Sequence, residues 1–391
     1  MIVNNGANIS RSSHAGELRW GYTTGACAAA ASRAATELLI TGQVRNQVTI
    51  ELPCAEITSF KLQCCELNEH NNQQYARCSV IKDAGDDPDC THGAEIVATV
   101  TLRQAGGVVI DGGHGVARVT KPGLELAVGE AAINPVPRRN IREMVLQALD
   151  ASDQGGAQVI ISVPEGEERA KKTINARLGL LGGISILGTR GTVRPYSTSA
   201  FAVSVRKQIE IARVNGIDEL ALTTGSRTER FGMAHFPELP DTAFVQAGDF
   251  VGVGLRAALK NKIKRVCIVA MIGKLAKLCA GRMMTHVSGH AIDFNLLGQI
   301  AASQGASQKQ VDSILNANTA RHVLDLLRGQ IDANYWNALC RMAAEHAHRF
   351  ARNKLPVAVY LVDFDGTLLG SANISHVKPE KTEQGKLAWN R

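Results

Sequence analysis

ELALTTGSRTERFGMAHFPELPDTAFVQAGDFVGVGLRAALKNKIKRVCIVAMIG, residues 219–273, is the stretch that decides the fold. Within it the apolar runs ELALTTG (219–225), TAFVQAG (242–248) and RVCIVAMIG (265–273) each end in glycine just before a helical stretch. Continuous apolar strands alternating with helices read as a parallel sheet covered on both faces. Ligands of such sheets gather outside the carboxyl ends of the strands, which is where these glycines fall.

Working outward, QVIISVP (158–164) reads as an earlier strand and AFAVSVRKQIEIARVNG (200–216) as an amphipathic helix closed by Gly216. The last third is helical, with VDSILNANTARHVLDLLRG (311–329) and NYWNALCRMAAEHAHRF (334–350), before a final strand VAVYLVDF (357–364). The amino-terminal half has another rhythm. GYTTGAC (21–27) leads into an alanine-rich helix stopped by Gly42, and strand-like runs follow at 47–52, 76–82, 95–102 and 107–110. Residues 112–126 read as a hairpin-like stretch, and a helix begins after the extended entry Asn134-Pro135-Val136-Pro137. The expected fold class is therefore α+β followed by α/β. An arm over 1–20 and an α+β domain over 21–152 lead through a linker near 151–156 to an α/β domain over 157–374 and a polar tail over 375–391.

Of the 391 residues, 45% are hydrophobic and 20% charged, which is ordinary globular composition. Aromatics are only 4% and the basic residues are dispersed, so nucleic acid is not an expected partner. The net charge of +7 suits an acidic small-molecule substrate, or simply solubility. The nine cysteines show no CxxC pair and no Cys/His zinc spacing, so no metal site is expected. The polar first residues lack an apolar leader core, and no run of about 18 apolar residues occurs. The expectation is a cytoplasmic protein that does not engage the membrane, with a homo-oligomer left open.

Gly179, Gly182, Gly183, Gly188 and Gly191 crowd one short run that matches neither GxGxxG nor GxxxxGK[ST]. Glycines at that density suggest backbone lying flat against a large planar or charged ligand. Lys171, Lys172, Arg177, Arg190 and Arg194 flank the run, and Arg138, Arg139 and Arg142 start a helix nearby in sequence. They suit a clamp on several carboxylates, or else a solvated basic face. Thr23 and Thr24 read as helix caps whose neighbouring amides can meet an anion, or as an ordinary helix start. The loop from Asp83 to Gly93 holds Asp83, Asp86, Asp87, Asp89 and His92, groups that bind cations or move protons, or else simply form a solvated turn; the EF-hand spacing is absent. Asp363-Phe364-Asp365-Gly366-Thr367 spells the nucleophile motif of haloacid-dehalogenase-like phosphatases. Too little chain follows for that fold's remaining motifs, so it reads better as a strand entering an Asp-Gly turn.

GYTTGACAAAA, KDAGDDPDCTHG, GGHGVARVTKPGL, AINPVPR and GEERAKKTINARLGLLGGISILGTRG together resemble the CbiD family, the cobalt-precorrin-5B C1-methyltransferases of anaerobic cobalamin biosynthesis. The resemblance runs in order from about residue 20 to 365 and is most specific up to residue 200. Arg190 and Cys90 depart from the family's pattern, and the register of Met284-Thr285-His286-Val287-Ser288 is shifted by one residue. The resemblance implies methyl transfer from S-adenosyl-L-methionine to C1 of a tetrapyrrole, with cobalt present only within that substrate. It makes Thr23, Thr24, Arg138, Lys171, Lys172, Arg177, Gly182, Gly183 and Arg194 the candidate tetrapyrrole contacts. Thr224, Gly225, Gly248 and Asp249, at the strand tips, are the candidate donor contacts. Asp83, Asp86, Asp87 and His92 are the candidates for polarising the substrate or taking a proton. The competing reading is a non-catalytic corrinoid or tetrapyrrole carrier, which needs no methyl donor.

Overall fold

The computed structural model describes residues 18–150, 155–286 and 291–375. Most of the expected arm, part of the linker, residues 287–290 and most of the tail lie outside them. The chain divides into two compact units, one of residues up to Thr120 with Glu125–Ser197, the other of Lys121–Leu124 with Thr198 onward.

In the first unit, helix α1 (Thr24–Thr41) buries Ala26, Ala28, Ala29, Ala30, Ala31, Ala34 and Ala35 completely or nearly so. Side chains this small let the helix lie close to both the sheet and helix α2 (Pro135–Leu149). Thr23 caps α1, its Oγ1 accepting from Ala26 N at 3.1 Å, a contact typically worth about 1 kcal/mol. Gly42 ends it in the left-handed conformation at φ 67°. The sheet comprises β1 (Cys64–His70), β2 (Gln73–Ile81), β3 (Glu95–Arg103), β4 (Gly107–Gly112) and β5 (Gly156–Ser162) in the order β1-β2-β3-β5-β4. Only the β5–β4 pair is parallel.

Two features correct the sequence expectations. The rhythm of the chain assigns QVIISVP to the second domain; the structure inserts it as β5 between β3 and β4, with Val159 opposite Val100. A continuous apolar run announces burial on both faces but not which sheet it joins. The boundary between compact units accordingly falls after Ser197 rather than near 157. The stretch 112–126 is not a hairpin either: Gly115–Val116 pairs with Gly183–Ile184, and Arg118–Val119 with Leu180–Leu181. The glycine-rich run is thereby woven into the first unit.

The second unit opens with α3 (Thr198–Val214), β6 (Glu219–Thr223), α4 (Ser226–His235), β7 (Phe244–Gln246), α5 (Val251–Lys260), β8 (Arg265–Ala270) and α6 (Ile272–Cys279). It closes with α7 (Ala320–Leu327), α8 (Ala333–Phe350), β9 (Val357–Val362) and β10 (Leu368–Ile374). The order is β7-β6-β8-β9-β10, parallel up to β9, with β10 antiparallel. This is the α/β unit with a largely parallel sheet that the glycine-ended strands announce. The chain leaves β6 to one side and returns to β8 on the other, opening a crevice at the carboxyl ends of these strands. The sequence reads 311–329 as one helical run. It is two helices, Gln308–Leu315 and α7, separated at Asn316–Thr319 because Thr319 Oγ1 accepts from His322 N at 3.0 Å and starts a new helix. Among the described residues, no helix is long and apolar enough to cross a membrane.

Candidate active site

The crevice between β6 and β8 opens into a cleft of about 620 Å³, within the range of roughly 300–1,000 Å³ usual for small-molecule sites. Thr224-Gly225 follows β6 and Met271-Ile272-Gly273 follows β8 along its lining. A Cβ built on Gly225 or Gly273 meets nothing within 4 Å, so both glycines present bare backbone to open space. Asp249 arrives from the end of β7 through a turn at Gly248, whose φ of 57° is left-handed and whose Cβ position lies 3.1 Å from the Phe201 ring. Gly248 is thus a turn residue that places Asp249.

The Asp249 carboxylate is held on several sides. Lys274 Nζ stands 3.0 Å from Oδ1, and Thr285 Oγ1 donates to the same oxygen at 2.9 Å. Burial pushes the Asp249 carboxyl upward, but the Lys274 ammonium, the Thr285 hydroxyl and nearby His286 outweigh it and hold its pKa below the ordinary value. Buried Lys277 donates to the carbonyl oxygens of Thr285 at 3.0 Å and His286 at 3.1 Å, fixing that segment against the cleft. Phe364 forms another part of the wall, with Arg227 and Arg321 over its ring. The turn carrying Phe364 is the phosphatase-like motif, and both of its carboxylates are engaged by Arg328. Asp363 Oδ2 lies 2.5 Å from Nη1, and Asp365 Oδ2 lies 2.8 Å from Nη2.

Of the expected donor residues, the structure brings Thr224, Gly225 and Asp249 together along this lining. The sequence reading misses Lys274, Thr285, Arg227, Arg321 and Phe364. One signal is available for Lys274: Gly273-Lys274 repeats, past β8, the glycine-then-charge pattern of Gly248-Asp249 past β7.

The first-unit candidates fare differently. Thr23 and Thr24 are buried, and the start of α1 is closed by the chain itself. Gly25 N donates to Leu187 O at 3.1 Å, and Leu187 N donates to Thr24 Oγ1 at 2.9 Å. Most of the glycines meet their own protein rather than facing a ligand. A Cβ on Gly183 falls 2.0 Å from Gly115 O, on Gly188 2.4 Å from Thr23 Cγ2, and on Gly191 3.0 Å from Leu52 Cβ. Gly182, exposed at φ 84°, has open space around it. Arg138 donates to Ile110 O at 2.8 Å, Lys171 pairs with Glu168 at 2.5 Å, Lys172 and Arg194 are exposed, and Arg177 is half-buried.

Asp83, Asp86, Asp87 and His92 do share one loop, but as its fastenings. Arg19 bonds the Asp83 carboxylate and donates its own amide to Asp86 Oδ2 at 2.7 Å. Asp87 Oδ1 accepts from Tyr196 N at 2.9 Å. The Arg19 guanidinium lowers the Asp83 carboxyl to about 2, too weak a base to take a proton near neutrality. His92 Nδ1 accepts from Ala84 N at 3.1 Å, which places the ring proton of the neutral form on Nε2. In that state the imidazole can donate a hydrogen bond from Nε2 but not accept a proton there.

The fold and cleft define an α/β protein with a cleft of small-molecule size at the switch point of a parallel sheet. The CbiD model matches residues 11–195, and the model of the CbiD C-terminal domain matches residues 284–373. A cobalt-precorrin-5B C(1)-methyltransferase of Leptospira borgpetersenii serovar Hardjo-bovis (strain JB197) is 48% identical over 354 residues, 90% of this chain and 95% of that protein. Proteins of the same name are 48% identical over 357 residues in Priestia megaterium (91% and 96% covered) and 46% identical over 356 residues in Geobacillus kaustophilus (strain HTA426) (91% and 95%). A crystal structure of a cobalamin biosynthesis protein (cbiD) from Archaeoglobus fulgidus aligns at 29% identity and a TM-score of 0.35, covering 74% of this chain and 85% of that one. The chain belongs to the CbiD family.

Proposed function

We propose that this protein transfers a methyl group from S-adenosyl-L-methionine to C1 of cobalt-precorrin-5B, giving cobalt-precorrin-6A in anaerobic cobalamin biosynthesis. The activity is that of the relatives, which match along nine-tenths of the chain. The observation that supports a donor site in the second unit is the cleft with Asp249 fixed on its lining. The donor fits what is present: two glycines leave open backbone surfaces, and one anionic carboxylate suits a ribose diol or a positive charge.

When bound, the donor supplies an electrophilic methyl on a sulfonium. Thr224 and Gly225 line the surface against which it lies, Asp249 orients its hydroxyls, and Lys274 holds Asp249 in place. Displacement at a methyl depends mainly on alignment of the nucleophilic carbon with the methyl and sulfur. An electron-rich macrocycle carbon attacks without a strong base, which agrees with the fastening roles of Asp83, Asp86 and Asp87. Lys171, Lys172 and Arg194, exposed on the first unit, are the proposed contacts for substrate carboxylates, and Gly182, exposed with open space around it, is a proposed bare backbone surface. His92 is the proposed hydrogen-bond donor.

Incubation with cobalt-precorrin-5B and methyl-labelled S-adenosylmethionine should place label in the macrocycle. An unlabelled macrocycle rejects the activity. Calorimetry with S-adenosylhomocysteine separates a methyltransferase, which binds it, from a corrinoid carrier, which does not.

A further inference from the structure

We propose that Arg227 and Arg321 form a carboxylate-binding subsite on the Phe364 wall of the cleft, an inference that rests on reading the cleft as the donor site. Their guanidinium carbons stand 5.8 and 4.2 Å from the centroid of the same Phe364 ring. They come from different helices and occupy the same position in each: Arg227 is the second residue of α4 and Arg321 the second of α7. The first turn of a helix carries the positive end of its dipole and favours acidic side chains. Both helices instead put a cation there, against the dipole. The first turn of α7 has no acidic residue, and the Glu229 of α4 is buried and bonded to Gln246.

The other charges around the cleft are answered. Among its described lining residues Arg227, Lys274, Lys277 and Arg321 are cationic, and Asp249 alone is anionic. Lys274 faces Asp249, and Lys277 is committed to two carbonyls. Asp363 and Asp365 are both taken by Arg328. Arg321 has a solvent-exposed neighbour, Asp325, at 3.5 Å, a geometry of little energetic weight. Arg227 has no ion pair among the described residues. The unanswered positive charge of the cleft is therefore concentrated on this arginine pair.

A guanidinium packed over an aromatic face keeps its N–H donors in its own plane, ready for the two oxygens of a carboxylate. A sulfonium is repelled from the same place. Two sources offer the required anion: the amino-acid end of the methyl donor, and the acetate and propionate arms of the tetrapyrrole.

The test titrates wild type, Arg227→Gln, Arg321→Gln and the double variant with three ligands. These are S-adenosylhomocysteine, 5′-methylthioadenosine, which keeps the nucleoside but has no carboxylate, and cobalt-precorrin-5B. If the donor's carboxylate occupies the subsite, the variants lose about tenfold or more in S-adenosylhomocysteine affinity and none for methylthioadenosine. If a tetrapyrrole arm occupies it, both adenosyl ligands bind as before and corrinoid affinity falls by a similar factor. Either result supports the subsite, and Arg227→Lys should restore little because the planar fork is lost. A double variant that binds all three ligands like wild type overturns it. Wild type that fails to bind S-adenosylhomocysteine rejects the donor site instead, while the corrinoid titration still decides the subsite. Both side chains are exposed, so unchanged melting temperatures are expected throughout.

Discussion

Lys274 Nζ lies 3.0 Å from Asp249 Oδ1, and the same ammonium donates to Thr224 O at 2.6 Å. One side chain at the start of α6 therefore ties the tip of β7 to the tip of β6, across the point where the sheet's connections diverge. Rigid placement of this kind is what a displacement reaction asks of a donor site.

The pair predicts a pH signature. Asp249 has a depressed pKa, so its anion, and the stability it contributes, is present above the unfolded value of about 3.9 and is lost only as pH falls through the lower folded value. S-adenosylhomocysteine affinity in the wild type should be flat from pH 8 to 5 as far as this carboxylate is concerned. In Lys274→Met, burial is no longer opposed by the ammonium, and the carboxyl pKa rises. Affinity should then fall as the medium is acidified toward pH 5. Matching flat profiles for variant and wild type would remove Asp249 from the donor contacts.

Two glycines should respond in opposite ways. Gly273 has open space where a side chain would go, so Gly273→Leu fills the cleft: folding is kept and S-adenosylhomocysteine binding drops at least tenfold. Gly183 has Gly115 O at 2.0 Å, so even Gly183→Ala overpacks a strand pairing. Overpacking of this kind costs about 1–3 kcal/mol or more, and each kcal/mol lowers the melting temperature by roughly 2–4 °C for a unit of this size. Calorimetric binding and thermal melts on both variants check the contrast. Stable Gly183→Ala with selectively weakened corrinoid binding would return that glycine to the ligand surface.

That contrast also shows where the sequence was legible. The glycine-ended strands predict the parallel sheet and its ligand edge, because strand-to-helix turns in such sheets recur locally at the carboxyl ends. Thr224, Gly225 and Asp249 follow from that local pattern. Arg227, Arg321 and Phe364 do not: they lie on α4, α7 and the turn after β9, and only the order β7-β6-β8-β9-β10 brings them together. The glycine-rich run misleads for a related reason. A glycine that admits a ligand and one that admits a neighbouring backbone share one signature, and Gly115, Gly166 and Gly183 are close-packed where three segments of chain cross.

Asp83 should behave as a fastening rather than a base. With Arg19 lowering its carboxyl to about 2, its contribution to stability is present above the unfolded value near 3.9 and fades only as pH drops toward 2. Asp83→Asn should cost a little stability, since the pair is well exposed, and leave the pH profile of methyl transfer between 6 and 8 unchanged. An acid limb in that profile that vanishes with the substitution would reinstate a proton-transfer role.

The last prediction concerns the motif that imitates a phosphatase. Asp363 is 3% exposed and Asp365 is 52% exposed, and the single guanidinium of Arg328 answers both. The turn that carries both is completed by Gly366 at φ 95° and by Thr367 N donating to Asp365 Oδ1 at 2.9 Å. A nucleophilic Asp must be free to reach phosphorus; this one is buried and held. The turn places Phe364 on the cleft wall. Arg328→Met leaves the Asp363 carboxylate buried without its cation, so the melting temperature should fall and the turn should loosen. Because Phe364 moves with the turn, ligand affinity in the cleft should fall as well. Asp365→Asn, at the exposed end of the fork, should keep most of the stability and most of the affinity. Hydrolysis of an aryl phosphate by the wild type, lost in Asp363→Asn, is the result that would overturn this assignment.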